Sequence, residues 1–177
     1  MNLANKLTVI RMILVPIYAI VFLYTDWTLL ALALFILAAL TDAADGYVAR
    51  QYQMITDLGK FMDPLADKLL TLTAFVLFTY MGLINPLLVI IIIAREVIIS
   101  VFRAVAASKQ VVIAAGNYGK FKTVLQILSI IMVHLYLIIE RSPDVLYWLV
   151  IAIMVAMTVI SGTDYIYRNR SVLEESE

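Results

Sequence analysis

Long apolar stretches broken by short polar segments organise this chain. They predict six helices. The first runs from about Thr8 to Tyr24, the second from Trp27 past Leu40, and the third from about Pro64 to Met81. The fourth runs from Pro86 to Ala107, the fifth from about Tyr118 to Ile139, and the sixth from beyond Pro143 to about Arg168. Two breaks are sharp. Gly82-Leu83-Ile84-Asn85-Pro86 and Glu140-Arg141-Ser142-Pro143 carry glycine or proline, which punctuate helices. A helix crossing the hydrocarbon core needs about 20 residues, so six fill most of a chain of 177. There is no internal repeat, and with no cleavage signal at the N-terminus the first span is expected to be retained. The expected fold is all-α, an integral membrane bundle of six transmembrane helices forming a single domain over 1–177.

Composition strengthens this picture. Hydrophobic residues make up 64% of the chain and charged residues 15%, with a mean hydropathy of +0.99. Soluble domains sit near ~45–50% apolar and ~25% charged, so an ordinary soluble domain and a disordered chain are both excluded. The net charge is zero, so no basic excess suggests nucleic acid. There is no cysteine, hence no disulfide and no thiol chemistry. With the N-terminus inside, every lysine and arginine except Arg141 falls in an inner segment or at an inner helix end. That asymmetry predicts a multi-pass plasma-membrane protein with both termini cytoplasmic. Charge-free runs such as Met12 to Thr25 are shorter than a span, so the helices must continue through charged residues at their inner ends. Intramembrane charge is costly unless it faces a bundle interior or water. A polar cavity open to the cytoplasm follows as an expectation.

The stretch Thr41 to Leu70 is the most informative. Asp42 and Asp45 are three residues apart, and Asp63 and Asp67 are four apart, so each pair shares a helix face. A short loop from about Gln51 to Met62 would join the two helices antiparallel and let the pairs converge. Clustered carboxylates repel and raise one another's pKa, and hard divalent cations such as magnesium, manganese or calcium relieve that repulsion. Ala38, Asp42, Asp45 and Ala49 form one stripe, with Ala43, Ala44 and Gly46 nearby, leaving room for a bulky ligand. The blander reading, loop charges or helix caps, suits Asp57 but not two facing pairs.

The residues Asp42-x2-Asp45-Gly46-x2-Ala49-Arg50-x8-Gly59-x3-Asp63-x3-Asp67 match the signature of the CDP-alcohol phosphotransferases, and the chain resembles that family in size and six-helix plan. Asn5-x-Leu7-Thr8-x2-Arg11, Ile93-Ala94-Arg95-Glu96 and Gly119-Lys120-Phe121-Lys122-Thr123 resemble its bacterial phosphatidylglycerophosphate synthase branch. The resemblance implies that Asp42, Asp45, Asp63 and Asp67 hold two divalent cations, Mg2+ or Mn2+, and that Asp67 is also the general base. It implies a nucleotide site of Gly46, Ala49, Arg50 and Gly59, with Asn5 and Thr8 beside it. Asn5 and Thr8 could instead cap the first helix. The implied substrates are CDP-diacylglycerol and glycerol 3-phosphate, the products phosphatidylglycerophosphate and CMP, and the implied assembly a homodimer in membrane lipid.

An acceptor bearing a phosphate needs cations of its own. Arg95, Arg103, Lys120 and Lys122 lie at the inner ends of the fourth and fifth helices, and Lys60 flanks the aspartates. Arginine and lysine are the usual phosphate partners, although inner-face anchoring gives the same placement. Glu96, Ser100 and Arg103 share a stripe, which suggests that Glu96 orients Arg103. His134 sits in the middle of the fifth span and reads as a packed or interhelical hydrogen-bonding residue. Tyr18, Tyr24, Trp27, Tyr80, Tyr147 and Trp148 read as interfacial aromatics. Three alternatives stay open at this point. A sister enzyme would use serine, inositol phosphate or phosphatidylglycerol as acceptor. A membrane prenyltransferase also binds diphosphate through aspartates. An ion transporter would place carboxylates in its path, but transporters often show repeated halves.

Overall fold

The computed structural model describes the backbone of residues 3–52, 57–111, 113 and 116–170, and the side chains of 8–41, 68–111, 113 and 116–170. Among the described residues there are six α-helices and no strand. They are α1 (Leu3–Tyr24), α2 (Thr28–Tyr52), α3 (Asp57–Tyr80), α4 (Pro86–Ser108), α5 (Asn117–Ile138) and α6 (Val145–Arg168). The turns fall where the breakers predicted. Gly82 takes φ +72°, a backbone region that costs glycine nothing. Asn85 caps α4 by accepting a hydrogen bond from Leu87 N at 2.9 Å, and Pro86 occupies the first turn, where its missing N–H is harmless. Asp144 caps α6 in the same way, accepting from Tyr147 N at 3.0 Å.

Two expectations are corrected. The helices on either side of the acidic motif extend further than their apolar runs. α2 continues to Tyr52 and α3 starts at Asp57, so Gly59 and Lys60 lie in a helix rather than in a loop from Gln51 to Met62. Charged side chains break a hydropathy pattern without breaking a helix. For the same reason α1 begins at Leu3, not near Thr8, so Asn5 and Thr8 lie inside it and are not its caps.

The helices form two units, Met1–Gly82 with His134–Arg141, and Leu83–Val133 with Ser142–Glu177. In the first, α1 packs on both α2 and α3, and these two also touch. The buried positions of α1 are Thr8, Arg11, Val15, Tyr18 and Phe22, a stripe at alternating spacings of three and four. α2 contributes Ala31, Phe35 and Ala38 to the same core, and α3 contributes Leu70, Ala74, Phe75, Leu77 and Phe78. In the second unit α4 packs on α6 through Ile99, Phe102, Ala106 and Tyr165.

The faces away from these cores are apolar. Ile13, Ile20, Leu29, Val76, Ile90, Ile98, Val124, Leu149 and Ile160 are all exposed. Buried among the helices, by contrast, are Thr8, Arg11, Glu96, Lys122, Gln126, Ser129, His134, Thr158 and Ser161. Apolar surface on this scale is a liability in water and is neutral against lipid. α5 and α6 are each long and apolar enough to cross a membrane. Among the described residues further apolar helical stretches run over Thr8–Tyr24, Thr28–Thr41 and Lys68–Tyr80, within α1, α2 and α3.

Candidate functional site

The acidic motif is carried by α2 and α3. Asp42, Asp45, Gly46, Ala49 and Arg50 lie on the last turns of α2, and Gly59, Lys60, Asp63 and Asp67 on the first turns of α3. The side chains of these nine residues, and that of Asn5, lie outside the described residues. Their helical register is nevertheless informative. The buried stripe Ala31, Phe35, Ala38 continues at the same spacing through positions 42, 45 and 49. The buried stripe Phe78, Ala74, Leu70 continues backwards through positions 67 and 63. Asp42 and Asp45 thus share one helix, α2, and Asp63 and Asp67 another, α3, at the i,i+3 and i,i+4 spacings of the sequence. Thr8, one of the candidate nucleotide-site residues, is 1% exposed, and Arg11 one turn further along α1 is equally buried. Among the described residues no group of three or more His, Asp or Glu side chains could hold a metal.

The basic candidates of the second unit are fully described, and they divide into two kinds. Lys122 of α5 is buried and its ammonium group is ion-paired with Glu96 of α4. Arg95 is largely buried too. Its Nη1 donates to Glu96 Oε1 at 3.3 Å and its Nη2 to Ser161 Oγ of α6 at 3.2 Å. Glu96 thus serves Lys122 and Arg95, and the expectation that it orients Arg103 is corrected. The reason is geometric: α5 and the neighbouring position on α4 bring two cations to one carboxylate, which a single helical stripe cannot reveal.

Arg103 and Lys120 are exposed. Arg103 is held by α6 instead. Its Nε donates to Tyr165 Oη at 3.2 Å, and its guanidinium lies over the Tyr165 ring, 5.3 Å from the centroid. Tyr165 is itself buried and packs edge-on against Phe102, ring centroids 5.9 Å apart.

Ser161, Gly162 and Tyr165 were not singled out in the sequence. Ser161-Gly162-Thr163-Asp164 is a polar, small-residue break in an otherwise apolar helix, and that was the available signal. Gly162 has a specific use. A methyl group there would stand 3.0 Å from Arg95 Cγ and 3.6 Å from Nε, so the arginine packs closely on α6 and would have to shift by a few tenths of an ångström to admit alanine. Close approach of this kind is one reason for glycine inside a helix, where it costs roughly 1 kcal/mol against alanine.

His134 is buried as expected. Tyr18, Phe22, Phe35 and Phe78 surround it, with ring centroids 5.2–6.2 Å from the imidazole. Tyr18 Oη lies 3.4 Å from Nε2, a long hydrogen bond whose direction follows the tautomer. Tyr18 is therefore a core residue and not an interfacial one. Tyr147 is buried as well, donating to Leu83 O at 2.9 Å. Tyr24, Trp27, Tyr80 and Trp148 are exposed, as interfacial aromatics are. Both corrected tyrosines occupy core-facing positions of their helices, and a place near a span end does not show which way a ring turns.

Comparison with known proteins agrees with the motif. The family model described as CDP-alcohol phosphatidyltransferase matches residues 1–160. The CDP-diacylglycerol–glycerol-3-phosphate 3-phosphatidyltransferase of Bacillus subtilis (strain 168) is 36% identical to this chain, covering 99% of it and 98% of the relative. The protein of the same name from Rickettsia typhi (strain ATCC VR-144 / Wilmington) is 33% identical, covering 93% and 94%.

Proposed function

The chain belongs to the CDP-alcohol phosphatidyltransferase family, and from that premise we propose that it transfers the phosphatidyl group of CDP-diacylglycerol to glycerol 3-phosphate. The observation that carries the reading is the complete aspartate signature, Asp42 to Asp67, inside the matched segment of a chain that aligns with such transferases nearly end to end. The acceptor hydroxyl oxygen forms a bond to the phosphatidyl phosphorus, and the bond from that phosphorus to CMP breaks. Asp67 takes the hydroxyl proton, which requires it to lie within hydrogen-bond reach of that oxygen. Asp42, Asp45, Asp63 and Asp67 would hold two Mg2+ or Mn2+ ions, which supply neutralisation of the diphosphate charge. Oxygen-only donors on two helices suit those ions.

Gly46, Ala49, Arg50 and Gly59, with Asn5 and Thr8, are the proposed nucleotide site. Arg95, Arg103, Lys120, Lys122 and Lys60 are the proposed source of positive charge for the acceptor phosphate. Among the members whose side chains are described, Arg103 and Lys120 are exposed, while Lys122 and Arg95 are engaged by Glu96. The proposed setting is a plasma membrane crossed by six helices of a single domain, with a cavity and both termini on the cytoplasmic side, in a homodimer. The apolar outward faces support membrane embedding, and the clustering of basic residues supports the orientation.

The test uses the purified protein in detergent with CDP-diacylglycerol, glycerol 3-phosphate and magnesium. CMP and a lipid ending in a phosphate monoester should appear together. EDTA should stop both, and added magnesium or manganese should restore them. Turnover that ignores the chelator would refute the metal assignment, and ion flux without CMP release would favour a transporter.

A further inference from the structure

Arg103 is an exposed arginine, and such a side chain is flexible unless something holds it. Here two contacts do. The Tyr165 hydroxyl accepts from Nε at 3.2 Å, and the Tyr165 ring lies beneath the guanidinium. Both come from one residue, which is itself clamped in the α4–α6 core by Ile99, Phe102 and Ala106. Held through Nε and one face, the guanidinium keeps Nη1 and Nη2 for another partner. Those two groups form the fork that matches phosphate oxygens. Neighbouring Arg95 differs: both of its Nη groups are spent on Glu96 and Ser161.

We propose that Tyr165 is a positioning residue for acceptor recognition, fixing Arg103 so that Nη1 and Nη2 face the phosphate of the acceptor. This rests on the reading of a phosphate-bearing acceptor given above. The division of labour is specific: the ring packs the helix pair, and the hydroxyl aims the arginine. Removing only the hydroxyl separates the two.

The experiment compares Tyr165→Phe, Arg103→Ala and the double variant with the parent protein, full length in detergent, by CMP release. Tyr165→Phe keeps the ring, its contact with Phe102 and its place beneath the guanidinium. Loss of the one hydrogen bond should raise the KM for glycerol 3-phosphate about fivefold. The kcat and the KM for CDP-diacylglycerol should stay within about twofold. In the Arg103→Ala background the same change should have no further effect, because the group it aims is gone. An unchanged acceptor KM, an equal rise in both KM values, or full additivity with Arg103→Ala would each overturn the proposal. Failure of the parent protein to use glycerol 3-phosphate would instead overturn the reading of the acceptor.

Discussion

His134 and Glu96 both sit among apolar helices, and the two units of the fold treat a buried polar group in opposite ways. Around His134 the solution is aromatic. Four rings enclose the imidazole, and Tyr18 gives it a long hydrogen bond. Around Glu96 the solution is ionic. A carboxylate is compensated by Lys122 and Arg95, and Arg95 is further tied to Ser161. In the ionic site Lys122 and Arg95 both pair with Glu96, and the exposed Arg103 lies on the same helix as Glu96. The difference separates a polar group enclosed by aromatic rings from one compensated by ion pairs.

Substitutions can break that contrast, beginning with the position expected to matter most. Asp67→Asn removes the proposed base and should lower kcat about a thousandfold or more, with the helical content of the protein retained. Normal turnover in that variant, read as CMP release, would remove Asp67 from the chemistry. Glu96→Gln removes the carboxylate charge that pairs with buried Lys122 and should cost about 3 kcal/mol of stability. Thermal unfolding in detergent measures this, and an unchanged midpoint would mean the ion pair is not structural. Arg103→Ala should raise the KM for glycerol 3-phosphate by an order of magnitude, as loss of a charge-assisted phosphate contact worth about 1.5–3 kcal/mol requires. Equal effects on both substrates would take Arg103 out of the acceptor pocket. His134→Phe should be the mildest. It replaces one ring by another in an aromatic cage and forfeits the long hydrogen bond to Tyr18, a contact worth about 1 kcal/mol, with activity kept. A large loss of turnover there would show that the aromatic site serves more than packing.

The sequence made the helix ends legible wherever a backbone constraint set them. Gly82, Asn85-Pro86 and the segment before Asp144 each mark a boundary that the fold reproduces. That helices run on through charge was legible from the short charge-free runs, but how far they run was not. The starts of α1 and α3 and the end of α2 lie beyond their apolar runs, because side-chain polarity does not report backbone conformation. The aspartate pairs could be read because i,i+3 and i,i+4 spacing is a property of one helix. The Glu96 cluster could not be read in full, because it joins three helices. Tyr165 and Gly162 were hidden by resembling ordinary membrane-helix residues, although the polar break beside them pointed to that turn of α6.

The most direct measurement supplies CDP-diacylglycerol and magnesium to the purified protein with one acceptor at a time: glycerol 3-phosphate, serine, inositol phosphate or phosphatidylglycerol. A phosphatidylglycerophosphate-forming transferase releases CMP with glycerol 3-phosphate alone. CMP release with a different acceptor and none with glycerol 3-phosphate would contradict the proposed acceptor while leaving the aspartate chemistry in place. Silence with all four would contradict the proposed transfer itself.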